Sequence, residues 1–185
     1  MKAAYTANEI AAYLLWLAAR ENEEEPGYLT PMQLQKLLYY VQGWSLAETK
    51  APMFSDEIRA WANGPVVEAV YQQYKGAGKL PIFDTPQTPP KLAPQDEAIV
   101  RGVWDRYKVY SAFRLSDMTH EEMPWKKARG GLSGQDRSNT LIPLADLEAE
   151  FVGQVARSKE RLAAHSQQIR AMARGRAKDQ NRAAG

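Results

Sequence analysis

The segment that begins at Thr30 limits the fold more than any other part of the sequence, because it predicts a long and largely buried helix. Thr30 can cap the helix, Pro31 suits its first position, and Gln33 stands where the second half of a capping box belongs. Apolar side chains then recur at helical spacing, at Leu34, Leu37, Leu38, Val41 and Trp44. We expect this stripe to form core, with other elements packed against it.

Similar spacing predicts helices near residues 8–20, 95–110 and 111–122, and a long helix that follows Pro143. Asn8 is a suitable N-cap for the first of them. Five prolines within residues 81–94 indicate an irregular loop.

Residues 54–62 indicate a short extended segment, after which Asn63, Gly64 and Pro65 turn the chain. Gly64 can adopt a positive φ, and Pro65 can begin the next helix. Together these patterns predict a mainly α-helical, compact single-domain fold with a long C-terminal helix.

Composition excludes several classes of protein. The chain has 185 residues, no Cys and two His, which excludes disulfides, zinc fingers and iron–sulfur clusters. The longest apolar run, residues 10–19, is about half of a membrane span. We therefore expect a cytoplasmic protein with no membrane segment and no bound metal or cofactor.

Charge divides the chain into two parts. Residues 157–185 carry eight basic and two acidic side chains, whereas residues 1–156 carry sixteen basic and twenty acidic ones. We interpret residues 1–156 as one domain and residues 157–185 as a basic, partly helical or disordered tail. Only this tail has the charge to bind nucleic acid.

Two motifs could carry chemistry, and both have a more common explanation. Residues 76–79 resemble the end of a phosphate loop but lack its first Gly and its final Ser or Thr, and a Gly-rich helix end explains them better. Asp117, His120, Glu121 and Glu122 could form an acid–base or metal site, but such runs are usually solvated helix faces. We expect no enzymatic activity.

Three blocks in order carry a family resemblance: LTPMQLQKLLYY at residues 29–40 with Gly43 and Trp44, IRAWANGPVV at residues 58–67 with Tyr71 and Tyr74, and the pairs Leu115-Ser116, Thr119-His120, Pro124-Trp125 and Ala128-Arg129. Over about residues 5–152 this pattern resembles the Panacea antitoxin domain, which is also found in phage-associated GepA-type and SocA-type proteins. The sequence departs from the family pattern at two positions. Arg59 stands where the family often has an acidic residue, and Asn63 stands where it often has an aromatic one.

The resemblance implies a mainly helical domain that neutralises a protein toxin encoded beside it, by direct binding in a type II toxin–antitoxin system. SocA-type members also resemble adaptors that deliver the toxin to the ClpXP protease. The resemblance implies no enzymatic activity.

The motif blocks supply candidates for two kinds of role. Structural roles fall to Pro31, Leu34, Leu37, Leu38, Gly64 and Pro65. Candidates for contact with the partner are Lys36, Tyr40, Arg59, Trp61, His120, Trp125 and Arg129. For Trp61 and Trp125 the alternative is structural packing, and for the other five it is a structural salt bridge or a buried hydrogen bond.

Two other functions stay open at this point. The basic tail could make the chain a nucleic-acid-binding transcriptional regulator, in which case binding would depend on salt. A hydrolase centred on Asp117 and His120 is the other. The long C-terminal helix also leaves room for a homodimer.

Overall fold

The computed structural model describes residues 3–21, 27–133 and 135–183, with side chains in the last range up to residue 167 and at 169. Its elements are α1 (Ala7–Arg20), α2 (Pro31–Thr49), β1 (Ile58–Trp61), β2 (Gly64–Val67), α3 (Glu68–Tyr74), a 3-10 turn (Lys75–Ala77), α4 (Pro94–Tyr107), α5 (Ala112–Glu121), α6 (Met123–Arg129) and α7 (Leu144–Ala183). The mainly α-helical fold and the long C-terminal helix are confirmed. The chain divides into two units, Met1–Phe151 and Val152–Gly185.

Helix α2 is the centre of the first unit. Its capping box is formed, because Thr30 Oγ1 accepts from the Gln33 amide at 3.3 Å and Gln33 Oε1 accepts from the Thr30 amide at 3.1 Å. Every residue from Leu34 to Leu46 is buried, and the predicted apolar stripe is core. Helices α1, α3, α4 and α5 and strand β2 all pack on α2.

Helix α1 begins one residue earlier than the sequence pattern indicated. Its N-cap is Thr6, which forms a capping box with Glu9, so the prediction of Asn8 as the cap is wrong. Thr6 and Glu9 have the spacing of a capping box, which satisfies two backbone amides at once, whereas Asn8 would satisfy one.

The extended segment is the first strand of an antiparallel hairpin, β1–β2, with Ala60 opposite Pro65. The Ala60 amide donates outward to Thr140 O at 2.8 Å, and the Ile142 amide donates to Ile58 O at 2.8 Å, so residues 140–142 cover the outer edge of β1.

Pro65 does not begin a helix, as its sequence position suggested, because it lies in β2 and α3 begins at Glu68. In this register the backbone of Pro65 faces away from β1, where the hairpin requires no amide proton from it. The Pro-rich segment before α4 is irregular, as predicted.

Candidate functional site

Two polar side chains of α2 close the outer edge of β2. Gln35 forms a pair of hydrogen bonds with Val67, since its Oε1 accepts from the Val67 amide at 2.7 Å and its Nε2 donates to Val67 O at 3.3 Å. Lys36 Nζ donates to Pro65 O at 3.0 Å. Both side chains are buried. They supply the hydrogen bonds that a third strand would otherwise give to this edge.

Gly64 is required at the start of β2 because of the space that Lys36 occupies. Its φ is 100°, a conformation that other residues adopt at a cost. A Cβ atom there would lie 2.5 Å from Lys36 Nζ and 2.9 Å from Thr119 Oγ1. Burial lowers the pKa of Lys36 to about 7.

Helices α5 and α6 also hold the turn of the hairpin. Ser116 Oγ donates to Asn63 O at 3.0 Å, and Trp125 Nε1 donates to Trp61 O at 3.0 Å. Both acceptors are backbone carbonyls, at the end of β1 and in the turn. Helices α2, α5 and α6 therefore hold the hairpin at four residues, which are Trp61, Asn63, Pro65 and Val67.

Three of the motif side chains stack on one another. The His120 and Trp125 rings are 4.1 Å apart at 23°, and the Arg129 guanidinium lies 5.3 Å from the Trp125 ring. Arg129 is buried and donates to the carbonyls of Ser133 and Asp136, which anchors the loop after α6. This stack therefore connects the end of α5 to that loop.

The hydrolase hypothesis gains no geometric support at His120. No hydrogen bond joins His120 to Asp117 among the described residues, and His120 Nε2 is buried without a hydrogen-bond partner. The pKa of His120 is lowered, first by burial and then by the nearby charge of Lys36. Within the described ranges, no three acidic or His side chains form a group that could hold a metal ion.

A row of aromatic side chains connects α2 to α4. Tyr40 stacks on Tyr107 with ring centroids 3.9 Å apart, and Trp44 Nε1 donates to the Tyr107 hydroxyl at 3.1 Å. Tyr39 donates to Glu122 at 2.6 Å. Burial raises the pKa of Tyr107 to about 12 and that of Tyr40 further.

The seven candidate contact residues divide by burial. Four are buried, and this burial favours their structural alternative: Lys36, Tyr40, Trp125 and Arg129. The other three are partly exposed: Arg59, Trp61 and His120. The structure thus groups Lys36, His120, Trp125 and Arg129 around the hairpin and leaves Trp61 at the surface beside them.

A groove of about 640 Å³ lies along the hairpin, on the side of Trp61. The Trp61 ring meets Tyr71 edge-on at 4.9 Å, and Trp61 Nε1 donates to Asn139 Oδ1 at 3.0 Å. Its lining consists of Trp61, Ala62, Asn63, Val66, Glu68, Tyr71, Arg137, Ser138 and Asn139. The groove therefore combines aromatic walls with a polar rim that carries one cation and one anion.

A family model matches the part of the chain that contains these same elements. The model described as "Antitoxin SocA-like, Panacea domain" matches residues 34–126, half of the chain. The chain belongs to the SocA-like Panacea family. No curated protein and no solved structure matched the chain.

The Panacea region extends from Leu34 in α2 to Lys126 in α6. It therefore contains the hairpin together with residues of α2, α5 and α6 that form hydrogen bonds to it. It includes Gln35, Ser116 and Thr119, which stand in the motif blocks but were not among the candidate site residues. Gln35 could have been noticed, because it is a polar residue inside a helix that is apolar on most faces. Asn139 lies beyond the Panacea region and had no signal in the sequence.

None of the described helices combines the length and apolar character that a membrane crossing requires.

Proposed function

We propose that this Panacea protein is the antitoxin of a type II toxin–antitoxin system, and that it neutralises a cognate protein toxin in the cytoplasm by binding it directly. Family membership over residues 34–126 carries the proposal. Its action requires recognition and no chemistry of its own, so we propose that it is not an enzyme.

The groove beside Trp61 is the contact site that we favour. Trp, Tyr and Arg dominate the energetics of protein interfaces, and this groove presents one of each in Trp61, Tyr71 and Arg137. A hydrogen bond that Trp61 accepts from Trp125 in α6 and one that it donates to Asn139 hold Trp61 in place before any partner arrives. A preformed site loses less conformational entropy on binding than a flexible one.

Co-expression tests the function. The chain is expressed untagged with the tagged product of the adjacent open reading frame, and growth and co-purification are scored together. We expect rescued growth and a stable complex. If neither is seen, the antitoxin proposal is wrong and only the family fold remains.

A pair of charge reversals tests the groove. Arg137→Glu alters the rim of the groove, whereas Lys91→Glu makes the same change at an exposed site in the Pro-rich loop. We expect Arg137→Glu alone to weaken rescue and co-purification. Equal behaviour of the two variants would move the contact site elsewhere while leaving the antitoxin function intact.

Delivery of the toxin to the ClpXP protease is a second mechanism of neutralisation, beside inhibition of the toxin by binding alone. Repeating the co-expression in cells without ClpXP separates the two. Rescue that persists without the protease supports blocking, and rescue that disappears supports delivery.

A further inference from the structure

The second unit of the chain presents an apolar stripe to solvent. Helix α7 continues through it to Ala183, and Leu162 and Ile169 are 68% and 54% exposed. Val152 is also exposed, and Val155 is half-buried. Single exposed aliphatic side chains are common on protein surfaces, so the spacing of these residues along the helix carries the argument.

The spacing of these residues identifies the kind of surface that would cover them. Val155, Leu162 and Ile169 follow one another at intervals of seven residues. Seven residues are close to two turns of an α-helix, so the three side chains lie along one narrow stripe. Such a stripe packs against another helix or an elongated apolar groove.

Charge disfavours one occupant of that stripe, which is the same helix of a second copy. Residues 157–185 carry eight basic and two acidic side chains, so two copies of this helix side by side would repel one another. A partner with acidic residues around an apolar groove would be attracted.

Nucleic acid is a less suitable occupant. Residues 157–185 contain no Phe, Trp or Tyr that could stack on bases. Phosphate contacts would use the basic side chains and would leave the aliphatic stripe exposed. A protein surface would cover both features at once.

We propose that the C-terminal helix is a second toxin-binding element, which places the Val155, Leu162 and Ile169 stripe in an apolar groove of the toxin that is bordered by acidic side chains. This inference rests on the proposed antitoxin function. It assigns the toxin two contact regions on this chain, one at the hairpin groove and one on the helix.

Titration of the purified product of the adjacent open reading frame with full-length chain tests this inference. The double variant Leu162→Gln/Ile169→Gln removes the stripe while Gln keeps a helix propensity close to that of Leu. Leu80→Gln is the matched control, because Leu80 is 67% exposed in an irregular segment of the first unit. Circular dichroism verifies equal helix content.

We expect the double variant to bind at least about tenfold more weakly and the control to bind like wild type. A second double variant, Lys159→Glu/Arg161→Glu, is expected to weaken binding most at low salt.

Equal affinity of all variants would overturn the inference and leave the antitoxin function standing. If the unaltered chain does not bind the product of the adjacent open reading frame, the antitoxin proposal is overturned. The assignment of the α7 stripe to the toxin is then overturned as well. A labelled DNA duplex serves as the third probe. Salt-dependent DNA binding that is lost in Lys159→Glu/Arg161→Glu, with toxin affinity unchanged, would assign the helix to nucleic acid and overturn the inference.

Discussion

Lys36 is the residue whose role differs most between the sequence and the structure. In the sequence it is a polar residue inside a motif, which suggests a surface role. In the structure it is buried, with its Nζ donating to Pro65 O and standing close to Gly64. Burial of a helical position depends on which elements pack around it, and the sequence of α2 alone cannot state that.

The buried lysine predicts a pH-dependent stability. In the unfolded chain Lys36 keeps its proton up to about pH 10.5, whereas in the folded chain its pKa is about 7. Between these values the unfolded state binds more protons, so the free energy of unfolding rises with pH. From pH 7 to pH 9 we expect a gain of up to about 2 kcal/mol, measured by urea denaturation.

The matched variants isolate that effect. Lys36→Met removes the titrating group, and we expect its stability to rise less than that of wild type over the same interval. Lys91→Met, at an exposed site, should keep the wild-type slope. Identical slopes for Lys36→Met and wild type would show that another group is responsible.

Gly64 gives a second prediction at this scale. Gly64→Ala places a methyl group against Lys36 and Thr119 at a φ of 100°. We expect a loss of about 2–4 kcal/mol of unfolding free energy, because strain and overpacking add. Gly102→Ala in α4, where a Cβ meets no atom within 4 Å, should be neutral or stabilising by up to about 1 kcal/mol. Thermal denaturation of both variants compares them, and equal melting temperatures would contradict this account of Gly64.

Among the elements, the helices could be predicted from the sequence. Of the hairpin, only the first strand could be predicted. The capping box at Thr30 and the apolar stripe behind it are local signals, and α2 forms where they indicate. Strand β2 has no such signal, because it contains Pro65 and proline is uncommon in strands. Its outer edge is completed by Gln35 and Lys36, about thirty residues earlier in the chain. A strand whose hydrogen bonds come from distant side chains is not detectable by its own pattern.

Gln35 tests this arrangement. Gln35→Leu substitutes an apolar side chain of similar size and leaves the amide and carbonyl of Val67 without their partner. We expect a loss of about 2–4 kcal/mol, since each buried backbone group without a partner costs about 1–3 kcal/mol.

The comparison variant for Gln35 is Gln95→Leu, at an exposed position in the first turn of α4. It should change stability by less than about 0.5 kcal/mol. Both values come from urea denaturation, and a Gln35→Leu protein as stable as Gln95→Leu would show that the edge of β2 does not depend on this side chain.

For the molecule as a whole, the sequence predicted the fold class and the family well. The family blocks lie in α2, the hairpin, α5 and α6, and the structure brings them together. The groove was not predictable, because its wall combines Trp61 and Tyr71 with Asn139, which lies outside those blocks and reaches Trp61 only in the folded chain. Motif residues thus indicated the family, whereas surface shape depends on contacts between distant segments.

Direct neutralisation is the central claim, and an assay with purified proteins tests it without protease or nucleic acid. The activity of the purified toxin is measured while increasing amounts of this chain are added. We predict that near-equimolar amounts of the chain abolish the activity and that Arg137→Glu is needed in larger amounts than Lys91→Glu. Full toxin activity in the presence of excess wild-type chain would contradict direct neutralisation.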